Sequence, residues 1–134
     1  GPSPAGLAQV HLTIDSSRRT HKFIVEVAHT PEEQAQGLMF RQSLAKDRGM
    51  LFPLAEVRPA GFWMKDTLIP LDMIWIGPDR KITGIAENTV PMSLENVPSP
   101  GPVTAVLEIA RGRSAGLGIK AGGSVDWPQT PALR

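Results

Sequence analysis

Gly61-Phe62-Trp63-Met64-Lys65-Asp66-Thr67-Leu68-Ile69-Pro70-Leu71-Asp72-Met73-Ile74-Trp75-Ile76 is the stretch whose reading decides the fold. It holds two of the three Trp and two of the five Met of the chain. Phe62 to Met64 read as the end of one buried strand and Leu71 to Ile76 as the next, with a short connection between them. Lys65, Asp66 and Asp72 flank that connection. Charged groups in such apolar surroundings need partners or a task, so the segment marks where a site is to be sought.

Outward from it the signals are of period two. Val10, Leu12 and Ile14 alternate with polar residues, as do Phe23, Val25 and Val27, so a β-hairpin with a polar loop over Asp15 to Thr20 is expected. Thr30-Pro31-Glu32-Glu33 combines an N-cap Thr, a Pro at the first helical position and a Glu three residues after the cap, a capping box that opens a helix toward Phe40. Gly37 inside that helix marks an early end or a close backbone approach. Gly77-Pro78-Asp79-Arg80 reads as a turn into Lys81 to Ile85, a second hairpin. Pro91 to Pro102 contains four Pro and little periodicity and is expected to be a long surface loop. Val103 to Ile109 is apolar on both faces and reads as a central strand that carries Glu108. A one- or two-turn helix over Gly112 to Gly118 and a last strand up to Val125 complete the pattern.

Seven or eight short strands with two short helices make a mainly β fold. The expected architecture is a compact antiparallel β-sandwich, jelly-roll-like or squat barrel. At 134 residues one domain suffices. The expected division is 1–6 as a disordered tail or tag remnant, 7–128 as the β-rich domain and 129–134 as a C-terminal tail.

The signature segment resembles that of the domain of unknown function 192 family, a group of uncharacterised bacterial and archaeal proteins whose pattern runs roughly F-W-M-K-N-T-x-I-P-L-D-M. Gly37-Leu38-Met39-Phe40-Arg41, Gly49-Met50-Leu51-Phe52, Ala105-Val106-Leu107-Glu108 and Gly118-Ile119-Lys120 match further blocks in order. The resemblance extends from about Val10 to Val125. It implies a compact, mainly β fold with short helices and, in many members, an upstream export signal. It implies no established activity. This chain departs from the family at Asp66, where Asn is usual, and at Gly123, where an Asp often follows the preceding Gly.

Fourteen basic and thirteen acidic residues, with no strong basic block, argue against an electrostatic nucleic-acid binder. The lack of Cys excludes disulfides, thiolate catalysis and Cys-ligated metal centres. No apolar run reaches the length of about 20 residues that a membrane helix needs, so a soluble chain is expected. Its opening, Gly1-Pro2-Ser3-Pro4, suits a chain whose leader has been removed. A periplasmic or envelope location is therefore expected, with the cytoplasm as the alternative.

The strongest constellation is Lys65, Asp66 and Asp72, with Arg41 and Glu108 as neighbours and Trp63 as an aromatic wall. By alternation Asp72 shares a face with Ile74 and Ile76, and Glu108 shares one with Val106. Burial raises a carboxylate pKa and a nearby cation lowers it, which is how acids, bases and anion ligands are prepared. The bland reading is that these charges are consumed in ion pairs or bond loop N–H groups. Trp63, Trp75 and Phe62 are read as core residues, with a ligand-stacking platform as the functional counterpart. Met39, Met50, Met64, Met73 and Met92 are read as mostly core filler. His11, His21 and His29 lack ligand spacing, so neither a metal nor a cofactor is expected.

Three functions follow from these residues. The leading one is a binding or accessory module with a polar pocket formed by Arg41, Trp63, Lys65, Asp66, Asp72 and Glu108 for a carbohydrate or small anionic ligand. The second is a cofactor-free hydrolase or lyase using Asp72 or Glu108 as base with Lys65 or Arg41 stabilising charge. The third is a structural or interaction module.

Overall fold

The computed structural model describes residues 1–129; the expected tail beyond Gln129 lies outside the described residues. Seven strands form one sheet: β1 (Gln9–Ser16), β2 (Arg19–Val27), β3 (Arg48–Phe62), β4 (Leu71–Ile76), β5 (Ile82–Ala86), β6 (Val97–Ala110) and β7 (Ser124–Asp126). Their order is β5-β4-β6-β3-β2-β1-β7. Two short helices, α1 (Pro31–Gln36) and α2 (Arg113–Leu117), lie in the connections. The sheet curls into a half-barrel, helped by register shifts in β3 and between Trp75 and Ile76. Its edges meet where Lys81 bridges Ser124 and the N–H of Ile82 donates to Gly123 O.

Local chemistry explains most of the elements. The β1–β2 loop is tighter than the polar loop expected: Ser17 and Arg18 both have positive φ, 54° and 63°, and join the paired Ser16 and Arg19 as a two-residue turn. That backbone twist suits a hairpin. Thr30 caps α1, accepting from Glu33 N–H while the Glu33 carboxylate accepts from the N–H of Thr30 and of His29. Those N–H groups hold the Glu33 carboxyl below its ordinary value. The helix stops at Gly37, whose φ of 48° and Cβ direction, 3.3 Å from the Phe52 ring, together require Gly.

Every strand pair is antiparallel except β2–β3, whose strands run parallel because the long connection containing α1 lets the chain cross back before pairing. Pro91 to Pro102 is only partly a loop. From Val97 onward it is β6, paired with β3 through Gly61↔Pro98 and Pro59↔Pro102. Pro98, Pro100 and Pro102 stand at alternate positions of this two-stranded extension, where one side of the strand can lack N–H donors without breaking the ladder.

The curl separates two cores. The concave face holds Leu12, Ile14, Phe23, Val25, Leu51, Ile74, Ile76, Leu107 and Ile109. The convex face of β3, β4 and β6 carries Met50, Phe52, Leu71, Met73, Trp75 and Val106, covered by Leu38, Met64 and neighbouring connections. β6 is buried on both faces, as a central strand must be. Gly49 lets β3 lie against it, since a Cβ there would stand 2.6 Å from Glu108 O.

Candidate functional site

Glu108 and Asp72 leave the sheet on opposite faces. In the β4–β6 register Met73 lies opposite Glu108 and Asp72 opposite Ile109. Asp72 thus points with Ile74 and Ile76 toward the concave core, and Glu108 points with Val106 toward the convex one, flanked by Met73 of β4 and Met50 of β3. These two carboxylates therefore do not face each other across a shared cleft, as the pair of a glycosidase would.

Asp72 is fully buried, and its charge is consumed by the fold. Oδ1 accepts from the N–H of Asn88 at 3.0 Å and of Gly112 at 3.2 Å, and Oδ2 accepts from Ser114 N–H at 3.1 Å. Gly112 has no side chain with which to cap α2. Asp72 takes over that role from a neighbouring strand.

Arg41 is also taken. Its guanidinium grips Glu26 with two hydrogen bonds of 2.8 and 3.0 Å, and Ser3 donates to the same carboxylate. Burial raises the Glu26 carboxyl, but these bonds outweigh it and hold the group below its ordinary value. The pair borders a small cavity of about 200 Å³ that Arg48 also lines, away from the signature segment.

The remaining candidates converge. A cavity of about 480 Å³ opens beside α1 on the convex face, with Trp63, Lys65 and Glu108 among its lining residues. Leu38, Phe52, Leu54 and Phe62 supply apolar walls. Phe62 stands edge-on to Phe52, with ring centres 5.0 Å apart, and to Trp75, at 6.0 Å. The mouth carries Trp63, which is 49% exposed, and the Lys65 Nζ lies 5.3 Å from the centre of its ring. The expectation that Trp63 is a core residue is therefore corrected: it follows the last residue of β3, where the chain leaves the sheet, whereas Trp75 inside β4 is buried. Met39 and the exposed Met92 likewise depart from the reading as core filler, whereas Met50, Met64 and Met73 fit it.

Glu108 forms the floor. It is 4% exposed, and among the described residues its carboxyl group has no hydrogen-bond or ion-pair partner. Loss of water pushes its pKa up to about 8, so the group is predominantly a neutral acid at neutral pH. Arg58 and Asn96, which the sequence reading did not single out, complete the polar lining. Arg58 sits in a stretch with no clear alternation, and only the β3–β6 extension brings it to the mouth.

The Asp66 side chain accepts no hydrogen bond and forms no ion pair among the described residues, so the bland reading of a charge consumed by loop N–H groups does not hold for it. Its role is in the backbone. With φ of 55° it turns the connection, and its C=O accepts from Phe40 N–H at 2.8 Å. Asn and Asp are the side chains that best tolerate this conformation, which accounts for either at the position. Met64 N–H donates to Ser93 O and Met92 N–H to Thr67 O, so three connections are tied together at the rim. No group of His, Asp and Glu able to hold a metal ion occurs among the described residues. Nor is any described helix long and apolar enough to cross a membrane.

Comparison with known proteins agrees with this architecture. A crystal structure of a protein of unknown function from Novosphingobium aromaticivorans DSM 12444 is similar over 95% of this chain and 91% of its own, with 44% identity and a TM-score of 0.92. A Sinorhizobium meliloti 1021 protein, described as a candidate transcription regulator, is similar over 90% of this chain and 95% of its own, with 40% identity and a TM-score of 0.88. No curated protein matches significantly. The model of the DUF192 family, described as an uncharacterized ACR, matches residues 11–127, and the chain belongs to that family.

Proposed function

We propose that this protein is a binding or accessory module whose convex-face pocket takes a carbohydrate or small anionic ligand. The observation that carries this reading is Glu108: a carboxyl group without a partner among the described residues, on the floor of a cavity of about 480 Å³. Buried polar groups are ordinarily satisfied, and one left open toward a cavity is a group awaiting a ligand. Trp63 at the mouth offers a ring face, and Lys65 and Arg58 offer positive charge. The frequent export signal of the family supports a periplasmic or envelope location over a cytoplasmic one.

The test is a panel of monosaccharides and small carboxylates titrated against the protein while the methionine methyl NMR signals are followed. Binding is expected to move Met39 at the pocket wall and Met50 and Met73 beside Glu108, and Trp63→Ala should weaken it at least fivefold. Ligands that move only signals remote from this pocket would contradict the reading.

A second reading, a cofactor-free hydrolase or lyase, is favoured by one observation. A carboxyl group that titrates near 8 is suited to proton transfer at neutral pH, and Lys65 lines the same pocket. Asp72 and Arg41 have no part in it, because both are held by other groups. Turnover abolished by Glu108→Gln in a folded protein would favour this reading over simple binding.

A further inference from the structure

The charges around the pocket narrow the ligand class. Lys65 and Arg58 line it, and neither is ion-paired among the described residues: Lys65 lies near the Trp63 ring and Arg58 donates to Pro59 O. Among the described residues that line it, Glu108 is the only acidic one. Among the described residues, the elements packed around Glu108 bring no other titratable group to it, since β3 presents Met50 and Phe52, β4 presents Met73, and the α1 side contributes Gln34, Ala35 and Leu38. Gln34 is occupied, its amide donating to Ala28 O and Pro53 O. With the floor acid neutral, the site has two positive charges and no negative one.

We propose, resting on the binding reading above, that the pocket takes a small organic anion with an apolar body, and that Glu108 meets it as a hydrogen-bond donor, so that ligand and proton are held together. The proton stays on the Glu108 carboxyl oxygen and is shared with an anionic oxygen of the ligand; no covalent bond is made or broken. Phe52, Phe62 and Leu38 enclose the apolar body, and Lys65 and Arg58 compensate its charge at the mouth. A cation would bind with the opposite linkage, because it needs the ionised carboxylate. A neutral alcohol needs neither form in particular.

Three probes of one shape separate these cases: benzoate, benzyl alcohol and benzylamine, each titrated between pH 6 and 9.5. Benzoate is expected to bind most tightly, with a dissociation constant that is level at low pH and rises about tenfold per pH unit above about 8. Glu108→Gln keeps an amide donor and should retain benzoate binding while losing this slope, which separates Glu108 from any titration of Lys65. Preference for benzylamine with affinity rising with pH, equal binding of the alcohol, or a benzoate profile unchanged by pH would each overturn the anion inference while leaving the pocket a binding site. If none of the three moves the methyl signals of Met39, Met50 or Met73, the anion inference falls, and the binding reading falls with it only if the monosaccharides and small carboxylates of the wider panel also leave those signals unmoved.

Discussion

Asp72 and Glu108 lie one register position apart on neighbouring strands, yet face opposite ways and meet opposite conditions. Asp72, on the concave side, receives three backbone N–H groups; Glu108, on the convex side, receives none among the described residues. Both are buried carboxyl groups in an apolar sheet. The difference shows that burial alone does not mark a functional acid. A carboxylate whose lone pairs are filled by the chain is a fastener, whereas one opening into a cavity is left available, and under the proposed binding reading it is the group that meets the ligand.

The largest expected effect falls on the fastener. Asp72→Ala leaves three N–H groups without their acceptor, that of Ser114 buried and those of Asn88 and Gly112 partly so, and empties a fully buried side-chain site, and should cost about 3 to 5 kcal/mol in urea denaturation. A loss below about 1 kcal/mol would remove the contrast with Glu108. Glu108→Gln should act in the other direction and only at higher pH. The unfolded chain releases this proton near 4.5, whereas the folded protein holds it to about 8, so wild-type stability falls as pH rises through that window. The Gln variant lacks the penalty. It should match wild type at pH 4 and exceed it at pH 9 by on the order of 3 kcal/mol, as read from paired denaturation curves. Equal stability at both pH values would mean that Glu108 is not desolvated.

Two smaller effects probe the mouth of the pocket. Trp63→Ala should cost less than about 1 kcal/mol, because the ring is half exposed and its contact with Lys65 is a weak surface one. A cost of about 3 kcal/mol would return Trp63 to the core. Asp66→Asn should change the melting free energy by less than about 0.5 kcal/mol, since both side chains accept the left-handed backbone and no side-chain bond is lost. A larger loss would reveal a partner for the Asp66 carboxylate.

Much of the fold was legible from local chemistry. The Thr30 capping box and the two hairpins follow from caps, turns and alternation, and the same alternation assigns Asp72 and Glu108 to their faces. The strand part of Pro91 to Pro102 was not legible, because proline signals a loop unless the missing N–H groups face away from the partner strand. The site was harder to read for a topological reason. β6 lies between β3 and β4, so the two signature strands are neighbours in sequence but not in the sheet. Lys65 and Asp72, seven residues apart in one motif, therefore serve different faces, and Arg58 reaches the pocket from a stretch with no pattern. Trp63 passed for a core residue because nothing in the sequence shows that β3 ends one residue before it.

The central claim, that Glu108 is a solitary acid on the floor of an open pocket, is tested most directly by its own titration. Side-chain carboxyl carbons labelled with ¹³C in glutamate report each group by NMR, and Glu108→Gln identifies the signal. The signal is expected to move with a midpoint near pH 8, far above the ordinary glutamate value of 4.5. A midpoint in the ordinary range near 4.5 would show a solvated or well-partnered carboxylate and contradict the account.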